Sequence, residues 1–373
     1  MGTSHRKGMG QQTRRQVLQA GGAALAAAAL SGCGWTLASI NTEPRAQSTK
    51  DELYLYTWAG YTDSALLRRF YEETGIRVIA DVFDSNEAML ARLQASGGGG
   101  YSIIYPSDYM VQKMAALGLL YELEGDRLPG LERLFPRFQN PHYDPGNRYS
   151  VPLSWGTAGL IYNRRLLATP PQDWDYLWEH QAELAKRATL LNDVREVMGA
   201  ALRSLGYSYN STQPAELAAA YEKLRQLKPA IAAFTSDAWR NQILTGDLQL
   251  AMCYSSDANE VISENPDLEY VLPLSGSSLF TDTLAIPRTA PNVAAAYAWI
   301  EFMLRPEVAA PIVERLSFST PNAAAFALLP PAVQQNVCLF PPEPAIGRCE
   351  GLIPVGEAAS ELYDRYWTLL TSS

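Results

Sequence analysis

Apolar runs of strand type and amphipathic segments of helix type alternate along the chain from residue 52 onward. The β-rich runs are LYLYTW (53–58), IRVIADVF (76–83) and YSIIYP (101–106). The segments with helical periodicity are DSALLRRFYEETG (63–75), SNEAMLARLQAS (85–96) and SDYMVQKMAALG (107–118). Such alternation is typical of a parallel, doubly wound α/β sheet. In that architecture, ligands bind beyond the carboxyl ends of the strands.

A second alternating series follows an irregular stretch at 124–150. It opens with YSVPLSWGTAGLIYN (149–163), which looks like a strand leaving the first lobe. The predicted elements after it are the strand TLLN before a helix from Asp193, helices at 214–227 and 237–246, a strand at 248–256, a helix at 257–265, a strand at 268–274, and helices at 292–304 and 306–316. A chain that builds one α/β lobe, then another, and returns predicts two lobes with a cleft at the hinge.

The first 33 residues predict an export signal. TRRQVLQ (13–19) carries paired arginines, and the apolar run behind it is too short to span a bilayer. Arg14 and Arg15 fit the twin-arginine type of signal. LSGC resembles a lipobox, in which Cys33 becomes the lipidated N-terminus; an ordinary signal peptide with an incidental cysteine is the alternative. Residues 34–50 are polar and predict a tether between membrane and domain.

The net charge of the chain argues against nucleic-acid binding. The formal net charge is −9, and loss of the signal, which carries arginine and lysine but no acid, makes the chain more acidic. An acidic surface does not suit nucleic acid, whose phosphates need basic side chains. The roughly 320 residues that remain are enough for one two-lobed protein. No later segment is apolar enough to cross a membrane.

The cysteines and histidines give no metal or cofactor motif, so we expect none. Cys253 lies in the apolar stretch LQLAMCY and is expected to be an inert, buried thiol. Cys338 and Cys349 flank the proline-rich LFPPEPAIGR. In an oxidising compartment these two are compatible with a disulfide.

Three loops that follow predicted strands carry side chains suited to a ligand site. They contain Trp58 to Tyr61, Asp84-Ser85, and Ser107 to Tyr109. Ser85 and Ser107 have a simpler interpretation as helix N-caps. Trp58, at a strand end that faces a loop, either packs a lid or contacts ligand.

Several longer motifs resemble one protein family. They are LYLYTWAGY, YPSDYMVQKM, LLNDVREV, ALRSLGYS, FTSD, TDTLAIP, FMLRPEVA and STPNAAA. The chain resembles, over roughly residues 52–370, bacterial extracellular solute-binding proteins of ABC importers, of the spermidine/putrescine-binding type. The resemblance implies a type II periplasmic-binding-protein fold with a ligand cleft between two lobes. Lobe 1 would comprise 51–157 plus 281–326, and lobe 2 would comprise 158–280 plus 327–373.

The resemblance also implies which residues line the cleft. The aromatic ones are Trp58, Tyr61, Tyr109, Tyr254, Phe280 and Phe318. The carboxylates are Asp193, Glu196 and Asp282, with Ser107 and Ser236 as polar contacts, Asp257 at a position that putrescine-binding relatives use, and Asp108 as an additional acid where threonine is usual. The polar-acidic pair after the tryptophan is replaced by Ala59-Gly60, and Ile353 stands where a glutamine is expected.

These residue types suit a linear polyamine, which carries an ammonium at each end of a methylene chain. The ammonium ends need charge-assisted hydrogen bonds to carboxylates. The methylenes and the charges both favour aromatic faces, with roughly 0.5–2 kcal/mol for each cation–π contact. We therefore expect a monomeric, extracytoplasmic lipoprotein that binds a small polyamine and delivers it to ABC permease subunits in the cytoplasmic membrane.

Simpler interpretations exist for single residues. Asp193 could be only an N-cap, Glu196 could close a capping box, and Asp282 could cap a turn. Tyr254 could be plain core, and Arg195 a side chain that orients a carboxylate. These single-residue interpretations do not explain why carboxylates and aromatic residues gather at loops that are predicted to face one cleft.

Other functions use the same residues. A carboxylate-dependent hydrolase would need two carboxyls flanking one bond, and no nucleophile, metal or cofactor motif accompanies them. Another solute, such as an amino acid, a thiamine-like cation or ferric iron, is the second alternative. For iron, the tyrosines of GYSYN (206–210) are a weak candidate.

Overall fold

The structure, a computed structural model, describes residues 50–97 and 100–372. The predicted signal with its twin arginines, the lipidated Cys33 and the tether up to residue 49 lie outside this part of the chain. Within the described residues, no helix has the length and hydropathy needed to cross a bilayer.

The first alternating series forms as predicted, apart from element ends. Its elements are β1 (Glu52–Trp58), α1 (Ser64–Thr74), β2 (Arg77–Phe83), α2 (Asn86–Ala95), β3 (Ile103–Ile104) and α3 (Asp108–Ala116). Local chemistry sets the limits of α1, because Asp63 accepts a hydrogen bond from the Leu66 amide and Gly75 ends the helix at φ 71°. The stretch predicted to be irregular holds two short 3₁₀ turns, Gly125–Arg127 and Pro129–Arg133, and the one-turn helix α4 (Pro136–Gln139).

The second series follows β4 (Ser150–Asn163). Its elements are α5 (Tyr176–Glu179), β5 (Ala188–Leu190), α6 (Val194–Ser204), α7 (Pro214–Leu227), a 3₁₀ turn (Lys228–Ala230), β6 (Ile231–Phe234), α8 (Trp239–Thr245), β7 (Leu250–Tyr254), α9 (Ser255–Glu264), β8 (Leu268–Val271) and β9 (Leu279–Ala285). The chain ends in helices α10 (Val293–Met303), α11 (Pro306–Leu316), α12 (Ala323–Phe326), α13 (Pro331–Gln334), α14 (Glu343–Ile346) and α15 (Glu357–Ser372).

The strands form one mixed sheet in the order β2-β1-β3-β9-β4-β7-β5-β6, with β8 also paired to β4. β1 is parallel to β2 and β3, and β5 is parallel to β6 and β7. The predicted parallel sheet is confirmed within these two groups of strands and wrong for the sheet as a whole, because β9 runs antiparallel to β3 and β4, and β4 runs antiparallel to β7 and β8. Hydrophobic periodicity indicates a strand but not its direction.

Strand β4 connects two hydrophobic cores. Its 14 residues are all buried, and residues 150–157 pair with β9 whereas 158–163 pair with β7 and β8. Trp155 packs into a core formed largely by β1, β3, α3 and α10. Leu160 packs into a second core built on β5, α6, α7 and α15. The predicted two-lobe α/β fold is thereby confirmed.

The lobe boundaries themselves stay a prediction. Phe340 and Ile346, from the stretch assigned to the second lobe, pack against the first core. The C-terminal segment therefore contacts both cores, since Tyr363 of α15 belongs to the second.

The expected disulfide is not present in the structure, where Cys338 and Cys349 are free thiols. The Cys338 side chain is buried in a small core that also contains Cys253 and Trp239. Cys349 is only partly buried, and its thiol faces the Ala345 carbonyl at 3.6 Å. The two side chains thus pack in different surroundings, which their positions around the proline-rich loop did not indicate.

Candidate functional site

The first part of the site is a carboxylate on β9 that receives two hydroxyl donors. Ser107 Oγ donates to Asp282 Oδ1 at 2.6 Å, and the Tyr61 hydroxyl donates to the other oxygen. Ser154, which pairs with Asp282 across β4 and β9, lies 3.1 Å from the Tyr61 hydroxyl. Asp282 is only 5% exposed, and burial raises its pKa. Its partners are hydroxyls, and none of its hydrogen bonds comes from a cation among the described residues.

Ser107 occupies the N-cap position of α3 but does not cap it through its side chain. The cap interpretation of this residue is wrong, because the hydroxyl donates to Asp282 instead. Two hydrogen bonds from Asn86 hold Ser107 in position. The Asn86 amide nitrogen donates to Ser107 Oγ at 3.0 Å, and its amide oxygen accepts from the Ser107 backbone N–H at 3.1 Å. Ser85, by contrast, caps α2 as predicted, through the Ala88 amide at 3.1 Å.

Aromatic side chains pack against the Tyr61 donor and at the end of β1. The ring of Tyr61 stacks on Phe318, with ring centroids 4.9 Å apart. Trp58 packs on Phe83 at 4.3 Å, and its indole N–H is buried without a hydrogen-bond partner among the described residues. A buried donor of this kind is costly unless a ligand or water satisfies it.

The second part of the site is the N-terminal turn of α6. Asp193 caps the helix as predicted, accepting from the backbone amides of Arg195 at 2.8 Å and Glu196 at 3.0 Å. Burial raises the pKa of Asp193. The Arg195 guanidinium pairs with no carboxylate of the described residues; it donates to Asn210 Oδ1 and the Ile353 carbonyl.

Glu196 does not close a capping box. Its Oε2 accepts from the Tyr209 hydroxyl and from Ser278 Oγ, each at 2.7 Å. The side chain is 2% exposed, and burial, together with the charge of Asp193, raises its pKa to about 7. Tyr209 and Ser278 were not predicted for this role, although the GYSYN tyrosines had drawn attention as a weak iron candidate.

The segment around Glu350 holds both donors of Glu196 in place. Its carboxylate accepts from the Tyr209 amide at 3.2 Å and from Arg203 at 2.8 Å. Its backbone pairs with the segment around Ser278, just before β9, since Glu350 N donates to Ser277 O and Leu279 N donates to Glu350 O, both at 2.9 Å. Glu350 thus positions Tyr209 and Ser278, and it had no signal in the sequence.

Two aromatic residues lie between the carboxylates. Tyr254, at the end of β7, and Phe280, on β9, meet edge to face at 5.3 Å. Burial raises the pKa of the Tyr254 hydroxyl, and the nearby charges of Asp193 and Glu196 raise it further. Phe280 is two residues from Asp282 and so lies on the same face of β9. It also packs directly over Gly156, where a Cβ would be 2.5 Å from the Phe280 ring.

The remaining residues predicted for the site make no hydrogen bond to Asp282, Asp193 or Glu196 among the described residues. Asp257 is already paired with Arg240 at 2.8 Å, so its charge is compensated inside the protein. Ser236 is exposed, and its carbonyl oxygen accepts from the Trp239 indole.

Tyr109 donates to Glu87 at 3.1 Å. Asp108 is 2% exposed and accepts from the Tyr109 amide at 2.7 Å, and it lines a cavity together with Thr281 rather than pairing with the cleft hydroxyls.

The arrangement suits a ligand with two separated positive charges. It offers Asp282 at one place and Asp193 with Glu196 at another, with aromatic faces between them. Among the described residues, no group of three or more histidine, cysteine, aspartate and glutamate side chains is arranged to hold a metal ion.

Comparison with known proteins identifies the family of the chain. Residues 65–341 match the family described as bacterial extracellular solute-binding protein. The chain is 38% identical to the spermidine/putrescine-binding periplasmic protein of Salmonella typhimurium, over 87% of this chain and 92% of that protein.

Solved structures are similar as well. A spermidine/putrescine ABC transporter substrate-binding protein from Streptococcus pneumoniae superimposes with a TM-score of 0.80 at 36% identity, covering 86% of this chain and 99% of that one. The PotD-type lipoprotein of Treponema pallidum gives 0.78 at 28% identity, covering 87% and 100%. The chain therefore belongs to the bacterial extracellular solute-binding proteins, which serve transporters and are not enzymes.

Proposed function

We propose that this protein captures a linear polyamine, putrescine or spermidine, outside the cytoplasm for an ABC importer. The observation that carries the proposal is the pair of buried carboxylate sites, Asp282 and Glu196, whose hydrogen-bond partners are hydroxyls. The names of the relatives, which are spermidine/putrescine-binding proteins, support the same ligand class.

One ammonium of the ligand binds Asp282. Because Tyr61 and Ser107 already donate to this carboxylate, it is oriented before the ligand arrives. The stacked rings of Tyr61 and Phe318 give the ammonium and its neighbouring methylenes aromatic faces.

The other ammonium binds at the start of α6, near Asp193 and Glu196. Tyr209 and Ser278 hold the Glu196 carboxylate, and Tyr254 lies close enough for both charges to affect its hydroxyl. Phe280 contacts Tyr254 and covers the methylene chain between the two ends. Trp58, Tyr109 and Ser236 contribute outer contacts, whereas Asp257 stays paired with Arg240.

Ligand binding and lobe closure are coupled through the cost of burying charge. A carboxylate buried without a cation is unfavourable, so the closed arrangement gains stability when an ammonium neutralises it. The ligand thereby favours the closed form by differential binding. A monomer anchored to the membrane through lipidated Cys33 would then dock, in this closed form, on the permease subunits.

Thermal melts of the mature chain test the ligand class. At about 100 times its dissociation constant, a ligand adds about 2.7 kcal/mol to the free energy of unfolding. We expect a clear upward shift of Tm with putrescine or spermidine and little with amino acids or thiamine. A protein that does not respond to either polyamine at millimolar concentration contradicts the proposal.

Asp282→Asn keeps the shape of the side chain but removes its charge. Since a hydrogen bond to a charged group contributes about 1.5–3 kcal/mol, we expect putrescine affinity to fall about tenfold to a hundredfold, as measured by calorimetry. The Tm of the unliganded variant should not fall, because an uncharged side chain is easier to bury.

The matched control is Asp126→Asn, which removes an exposed carboxylate in the 3₁₀ turn Gly125–Arg127. It should bind putrescine as the parent protein does. Equal affinities of the two variants would show that Asp282 does not hold the ligand.

The raised pKa of Glu196 predicts a pH dependence with a definite sign. Its pKa rises from 4.5 to about 7 in the folded protein, so the unliganded protein loses the stability contributed by this proton as pH rises across that interval. A bound ammonium favours the ionised carboxylate. Putrescine affinity should therefore increase as pH rises towards 7, with release of protons.

Calorimetry in buffers of different ionisation enthalpy measures this proton release. Glu196→Gln should reduce both the proton release and the pH dependence, leaving the part due to Asp193 and Asp282, whose pKa values burial also raises. Proton uptake on binding would contradict this assignment.

A further inference from the structure

A cavity of about 200 Å³ lies beside β9, on the face turned away from Asp282. Leu279 and Thr281 line the cavity, whereas Phe280 and Asp282, at the alternate positions of the strand, belong to the ligand site. The two sites share one strand but use its opposite faces.

Two buried polar groups form the inner end of this cavity. Asp108 is 2% exposed; its carboxylate receives the backbone amides of Tyr109 and Thr281, and no side chain of the described residues donates to it. Tyr143 is 5% exposed, and its hydroxyl has no hydrogen-bond partner of ordinary geometry in the described part of the chain. Buried groups of this kind are normally satisfied by a ligand or by ordered water.

The other walls are suited to a short apolar chain. Phe138, Leu279 and Ile346 give aromatic and aliphatic surface. The outer end is marked by His142, which is exposed, and by Arg137, which forms an ion pair with Glu343. Concave sites with mostly apolar walls and a few convergent polar groups are typical of small-molecule binding.

We propose that this cavity is a second binding site, which takes a primary monoammonium ion with a short alkyl chain. The ammonium donates to Asp108 and to the Tyr143 hydroxyl oxygen, and the alkyl chain lies along Phe138 and Ile346 towards the outer end. The inference goes beyond polyamine capture and does not depend on which solute the main site binds.

The charges at the two ends of the cavity select the ligand class. A carboxyl group at the inner end favours a cation there, through a charge-assisted hydrogen bond. At the outer end the Glu343 carboxylate is already paired with Arg137, so it offers no uncompensated charge to a second ammonium. The site therefore favours a monoamine over a diamine, in contrast to the main site, which presents carboxylates at both ends.

Calorimetric titration of the mature chain with n-butylammonium tests the proposal, with and without saturating putrescine. We expect butylammonium to bind in both conditions. Putrescine in the main site should weaken butylammonium binding, because nearby cations repel each other. The apparent dissociation constant of butylammonium should then level off as putrescine saturates its own site, whereas competition for one site would raise it in proportion to putrescine concentration.

Two substitutions, Asp108→Asn and Tyr143→Phe, test whether butylammonium binds in the cavity. Asp108→Asn should weaken butylammonium binding tenfold or more, and Tyr143→Phe, which keeps the ring, should weaken it several-fold. The exposed Asp126→Asn should leave it unchanged. If a melt shows that Asp108→Asn does not fold, Tyr143→Phe decides the question.

Three results would overturn the proposal: no butylammonium binding at millimolar concentration, displacement in proportion to putrescine, or equal binding by the parent protein, Asp108→Asn and Tyr143→Phe. A failure of the main site has a different signature. In that case putrescine does not bind, while butylammonium binding still depends on Asp108.

Discussion

The burial of negative charge at Asp282 and Glu196 is the constraint on which the rest of the site depends. Each carboxylate is almost fully enclosed and receives two hydroxyl donors but no cation from the described residues. Hydroxyl donors orient a carboxylate and offset only part of its desolvation, so its pKa stays raised. A ligand that brings positive charge would offset this cost, which is why we propose a cationic ligand for the site.

The fold supplies the donors from distant parts of the chain. Strands β4 and β9 place Ser154 and Asp282 next to each other, and Ser278 directly precedes β9. Glu350 then fixes Tyr209 and the backbone beside Ser278 from the C-terminal segment. The same segment packs against both cores, so the geometry of the Glu196 carboxylate depends on how the two lobes are joined.

Local features of this structure could be predicted from the sequence, whereas long-range ones could not. Apolar periodicity gave the strands and helices, and the Asp193 cap followed from the residue type before a helix. The parallel direction predicted for the strands was wrong for β4 and β9, because hydrophobic periodicity does not encode strand direction. Ser107 looked like a cap because of its position, but its hydroxyl found a stronger acceptor 175 residues away. Ser278 and Glu350 gave no signal, and Tyr209 was noted only as an iron candidate, since their roles come from pairings between distant segments.

The most direct test is a crystal structure of the mature chain grown with putrescine. We expect a closed molecule in which one ammonium lies within hydrogen-bond distance of Asp282 and the other within that distance of Asp193 or Glu196, with the methylenes against Phe280. Ligand density elsewhere, or an ammonium held by Asp257 in place of Arg240 while Asp282 keeps only its hydroxyl partners, would contradict it.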